Sequence, residues 1–160
     1  MTNPNQAQVF QPPNTIKTKV GAGRFNLDAD AVARAEAALK SLSGQFGQWM
    51  QDELDKLDAA RAEVRAKGMN AETSEALYMR AHDLKGLGTT YEYPLVTRIA
   101  GSLCKLIDVP ERRETAPLSL IDAHIDAIKA AVRDEIRTDE HPVGRALAEA
   151  LETRTREHLG

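Results

Sequence analysis

The chain has 160 residues, with 42% hydrophobic, 28% charged and only 4% aromatic side chains. That length suits one compact domain and excludes two substantial ones; the abundance of Ala, Leu, Glu and Arg favours helices over sheets. The net charge of −3 and the single cysteine, Cys104, exclude a global basic field for nucleic acid or acidic membrane and any intramolecular disulfide.

No apolar run reaches the ~20 residues that would cross a bilayer, and the polar N-terminus carries no secretory leader. With one reduced cysteine, this implies a cytoplasmic protein. Residues 1–27 are rich in Asn, Gln, Pro, Thr and Gly, and Lys17, Lys19 and Arg24 make them basic. They read as a disordered or loosely packed polar arm.

Asp28 is a fitting N-cap for a first helix at about 29–43, with Val32, Ala35, Leu39 and Leu42 at helical spacing. Ser43-Gly44 and Gly47 then predict a kink or a break into a second helix. That second helix covers about 45–67, carries Phe46, Met50, Leu54, Leu57 and Val64, and stops at Gly68. Trp49 reads as a packing residue. Asn70 caps a helix over about 71–91. Pro94 opens the next, about 94–108, with Leu95, Ile99, Leu103 and Leu106 on one stripe. Glu111 to Thr115 reads as a charged loop. Pro117 begins a helix over about 117–137 with Ile121, Ile125, Ile128, Val132 and Ile136 on the cleanest apolar face. A final helix, about 143–158, carries Val143, Leu147 and Leu151. The expected fold is all-α: an antiparallel four-helix bundle over residues 28–160, with extra helical segments at its N- and C-terminal ends.

The third of these segments holds the most informative stretch, Ala81-His82-Asp83-Leu84-Lys85-Gly86. At about 100° per residue, Leu77, Ala81, Leu84 and Gly88 form the buried stripe. His82 then points roughly 130° from its middle, into solvent. Lys85 is one turn on, in reach of the space before the imidazole. Gly86 sits beside His82 on the same open face, where glycine costs roughly 0.5–1 kcal/mol relative to alanine. Such a residue there suggests that something approaches closely. Met79 and Thr89 project to the same side and, with Tyr78, make a candidate docking patch.

His-x-x-Lys-Gly preceded by alanine, together with Leu103-Cys104-Lys105-Leu106-Ile107-Asp108 on the following helix, resembles the histidine-containing phosphotransfer (HPt) domains of bacterial phosphorelays. The resemblance covers about the central third of the chain. Family members often carry a second glycine near the end of the histidine helix, where this chain has Tyr91-Glu92-Tyr93; the departure bears on the backbone of that turn. The resemblance implies that His82 accepts and donates a phosphoryl group, that Lys85 offsets its charge, and that Gly86 admits the partner. It implies receiver domains of hybrid kinases and response regulators as partners, with Mg²⁺ held by the receiver and no cofactor on this chain. The chain lacks a glycine-rich ATP loop or kinase motif, which fits a phosphoryl carrier and not an enzyme. A self-contained bundle with one reactive helix needs no dimer, so a monomer is expected.

A second reading keeps the bundle but makes it an adaptor that binds receivers or kinases without being phosphorylated. Intact His82, Lys85 and Gly86 argue against it. His124, His141 and His158 have no metal-site spacing, and no metal ligand set is expected. His124 and Cys104 read as packing residues.

Overall fold

The computed structural model describes residues 24–160, with side chains described from Asp28; the expected polar arm lies, but for its last four residues, outside the described residues. Two compact units divide between Leu42 and Ser43. The described chain is helical, with no strand among the described residues. Six helices follow in order: α1 (Arg24–Lys67), α2 (Ala71–Leu87), α3 (Pro94–Ile107), α4 (Pro110–Arg113), α5 (Leu118–Arg133) and α6 (Pro142–Leu159).

The expected interruption at Ser43-Gly44 and Gly47 is absent, because α1 is a single helix of 44 residues. A glycine costs a helix only about 1 kcal/mol, and open space surrounds both Gly44 and Gly47, so nothing forces a break. Asp28 is likewise an interior residue and not a cap, since no Gly or Pro lies between it and Arg24 to stop the helix. In the first unit, Val32, Leu39 and Leu42 are exposed. From Ser43 onward the same helix turns Met50, Leu54, Leu57 and Val64 into the core.

Four of the five later helix starts have a local cause. Asn70 and Thr73 form a reciprocal capping box at the head of α2. Proline occupies the first turn of α3, α4 and α6, where the missing N–H has no partner to lose. The α6 head is also capped by the His141 side chain, which accepts from the Val143 N–H. Gly68 takes φ +81 and donates its N–H to the Val64 carbonyl, ending α1 as expected.

Two helix ends differ from the sequence expectation. α2 stops at Leu87, not near Tyr91, and α5 at Arg133, not near 137. Both segments close with the same hydrogen-bond pair. Tyr93 N–H reaches Gly88 O and Glu92 N–H reaches Thr89 O; Ile136 N–H reaches Ala131 O and Glu135 N–H reaches Val132 O. This is the double closure of a Schellman motif, which needs a left-handed residue. Here that residue is glutamate, Glu92 at φ +67 and Glu135 at φ +54. Without glycine there was no sequence signal. The left-handed conformation costs an L-residue roughly 1–2 kcal/mol, so Glu92→Gly is expected to raise stability by about 1 kcal/mol. The exposed Arg137–Glu92 ion pair it removes contributes little. Thermal denaturation checks this: a melting temperature that falls would contradict strain at Glu92.

α3 is the central element. It packs against α2, α5 and α6, and Leu95, Ile99, Leu103 and Leu106 are all buried as their spacing requires. Gly88 meets Thr97 and Lys85 lies over Gly101, so contacts recede from the turn in step and the α2–α3 hairpin is antiparallel. α6, expected as an end extension, packs along α3 and α5 and buries Ala148 and Leu151 in the common core. On the other side, α1 is tied to α5 by a charged network. The buried Arg61 guanidinium donates to Asp58 and Asp126, each at 2.6 Å, and Lys129 of α5 bonds Asp58. Trp49 is half-exposed and stacks obliquely with Phe46 and Tyr91, ring centres 5.8 and 5.9 Å away.

Candidate functional site

α2 presents the face that its periodicity dictates. Leu77, Ala81 and Leu84 are fully buried and Gly88 is buried behind them, whereas His82, Lys85 and Gly86 are exposed. His82 has no hydrogen bond or ion pair among the described residues; its neighbour is the Tyr78 ring, at 6.0 Å between centroids and tilted by 43°. The imidazole therefore stands on a helix anchored from behind, with its front open.

Tyr78 is half-buried, and its position is set by a residue that sequence reading passed over. The expected charged loop contains a one-turn helix, α4, whose Arg113 is buried. Its Nε donates to the Ile107 carbonyl at 2.7 Å and its Nη1 to Glu75 at 2.5 Å, while the guanidinium lies 4.9 Å from the centre of the Tyr78 ring. A chain of contacts thus runs from Arg113 through Tyr78 to His82. Tyr78 therefore lies between the buried guanidinium and the exposed imidazole, with part of its ring exposed. No local pattern marks Arg113, because its burial depends on α2 packing over α4.

Lys85 has no carboxylate partner among the described residues, but its stem is not turned toward His82. Its Cε lies over Gly101 of α3, and its ammonium acts on Cys104. Its reach to the imidazole requires the flexible side chain to swing across the helix surface. Gly86 has no atom within 4 Å of where a Cβ would sit. The fold gives no packing reason for glycine there. Gly44 and Gly47 are equally open, so it is the place beside His82 that sets Gly86 apart.

Met79 is exposed on the face shared with His82. Thr89 is exposed but lies in the turn after α2, and both its N–H and its hydroxyl engage the Thr97 hydroxyl, at 2.8 and 3.1 Å. It pins the hairpin, so the expected docking patch loses its free hydroxyl. Asp83 pairs with Arg80 at 3.6 Å and does not orient the imidazole.

The other candidate groups are structural. Burial pushes the Cys104 thiol up to about 11, against the opposing Lys85 charge, so no thiolate is present near neutral pH. His124 is fully buried, and burial holds it below the ordinary histidine range, with the Leu120 hydrogen bond opposing. Its Nδ1 lies 2.7 Å from the Leu120 carbonyl. A carbonyl only accepts, so Nδ1 carries the proton and Nε2 is an acceptor, with the Ser102 hydroxyl at 2.9 Å and the Thr155 hydroxyl at 3.4 Å. Thr155 lies 3.1 Å from Ser102 and completes a polar tie between α5, α3 and α6. Among the described residues no group of three His, Cys, Asp or Glu is placed to hold a metal ion, and no helix is long and apolar enough to cross a membrane. No family model, curated protein or solved structure matches the chain.

Proposed function

We propose that this chain is a cytoplasmic histidine phosphotransfer protein that relays a phosphoryl group between aspartates of receiver domains through His82. The observation that carries the reading is a solvent-facing imidazole on a rigid helix, with an uncompensated ammonium one turn on and bare backbone beside it. Phosphoryl transfer asks a carrier for little more than an in-line nucleophile and charge neutralisation. The lone pair of a neutral imidazole nitrogen attacks the phosphorus of an aspartyl phosphate. The N–P bond forms as the P–O bond to aspartate breaks, and the carboxylate leaves with that electron pair. The reverse step passes the group to the next aspartate. Mg²⁺ belongs to the receiver, and the carrier needs no cofactor.

The roles divide among neighbours. Tyr78, backed by Arg113, limits the orientations open to the imidazole. Lys85 swings from α3 to offset charge on the transferred group. Gly86 leaves room for the receiver's loops, and exposed Met79 supplies an apolar contact suited to a transient partner.

The test is to incubate the protein with a phosphorylated receiver and look for acid-labile, base-stable label on this chain. Wild type is expected to acquire label, and His82→Gln to fall to background while keeping its helical spectrum and melting temperature. Label persisting in His82→Gln would exclude His82 as the acceptor; a wild type that takes no label from any receiver would turn the reading toward the unphosphorylated adaptor.

A further inference from the structure

Beside Lys85, residues of α2, α3 and α6 line an open cleft of about 370 Å³. That is within the size range of small-molecule sites, ~300–1,000 Å³. Its lining is strongly biased in charge. Lys85, Arg98, Lys105 and Arg156 contribute four cations and Glu152 one anion, on a chain whose net charge is −3.

Arg98 is committed: it donates to Glu152 at 2.5 Å and to Asp139 at 3.1 Å. The other three are not. Neither Lys85, Lys105 nor Arg156 has a carboxylate partner among the described residues, and Arg156 meets only the Thr153 hydroxyl, at 3.2 Å. Three cations without a carboxylate partner thus line one concavity, and a multivalent anion bound there would offset the charge of all three. The floor is the buried Thr155–Ser102–His124 tie. The Ser102 hydroxyl is the nearer donor to His124 Nε2, at 2.9 Å against 3.4 Å for Thr155, and with Ser102 donating, Thr155 can turn its hydroxyl toward a guest without leaving a donor unpaired.

We propose that this cleft binds a small phosphate-bearing anion through Lys85, Lys105 and Arg156. Arg156 offers a planar fork suited to two phosphate oxygens, and the lysines act as point charges around it. Lys85 lines the cleft in its observed position over Gly101, so an occupant holds it there and away from His82. This consequence rests on the phosphotransfer reading, and binding itself does not.

The probe is inorganic pyrophosphate, titrated at constant ionic strength into the ¹⁵N-labelled full chain. Saturable shifts are expected at the amides of Lys85, Gly101, Lys105 and Thr155, with a dissociation constant below about 1 mM, weakened about tenfold or more in Lys105→Ala/Arg156→Ala. Shifts that do not saturate by about 10 mM, or that persist in the double variant, would mean diffuse charge screening and overturn the site. In the receiver assay at fixed free Mg²⁺, pyrophosphate is expected to slow label transfer to wild type and not to the double variant. Equal slowing of both would overturn the coupling through Lys85. A chain that binds pyrophosphate but never takes label would sink the relay reading alone and leave the cleft standing.

Discussion

Replacing Gly86 by glutamate is expected to slow phosphoryl transfer to His82 about a hundredfold, with helicity and melting temperature within a few degrees of wild type. A carboxylate there would lie within ~6 Å of the transferring group, and at an effective dielectric of ~20 one such pair of like charges costs roughly 3 kcal/mol. Each 1.36 kcal/mol on the barrier is about tenfold in rate. The added side chain also fills the space through which a receiver loop would approach. Nothing in the fold resists it, since no atom lies within 4 Å of the new Cβ. Gly86→Ala separates these effects from stability. It should raise the melting temperature, because alanine is favoured in a helix by up to about 1 kcal/mol, and still slow transfer through its methyl group. Unchanged transfer rates in both variants, measured as label acquired per second from a phosphorylated receiver, would remove the functional account of this glycine.

The largest loss of stability is expected two residues further on, at a glycine that looks similar in sequence and is opposite in setting. A Cβ on Gly88 would lie 2.4 Å from the Thr97 hydroxyl, 2.7 Å from the Thr97 nitrogen and 3.0 Å from the Tyr93 carbonyl. Two of these atoms are backbone, and the third is held by hydrogen bonds from Thr89, so no side chain can simply turn aside. The α2–α3 hairpin must open instead. Overpacking typically costs 1–3 kcal/mol, and Gly88→Ala is expected at the upper end, about 3 kcal/mol. For a unit of this size that lowers the melting temperature by about 10 °C. Urea and thermal denaturation measure it directly. A loss under 3 °C would show that the hairpin yields more easily than its backbone contacts imply. Transfer should also fall in this variant at temperatures where it remains folded, because opening the hairpin moves the helix that carries His82.

The contrast between Gly86 and Gly88 marks how far one-dimensional reading reaches. Helical periodicity placed Leu77, Ala81, Leu84 and Gly88 inside and His82 outside, and that much follows from angular position alone. It located Gly88 on the buried stripe but not how closely Thr97 presses on it. The same limit appears at the helix ends. Glycine at Gly68 announced its left-handed turn, whereas Glu92 and Glu135 adopt such turns without the residue that would signal them. The chain's departure from the phosphotransfer pattern at Tyr91-Glu92-Tyr93 therefore falls on the place where the backbone is strained.

From the order of its residues alone, this protein is helical, one helix starts behind the Asn70 cap and another at Pro94, and one histidine faces outward beside a lysine and a glycine; periodicity and caps are local properties, and they suffice. Folding settled the rest. Arg113 is buried under Tyr78, Lys85 leans over Gly101, and Arg61 is enclosed by carboxylates from two helices. Each depends on side chains tens of residues apart meeting in space, and such meetings carry no spacing that a linear pattern can record.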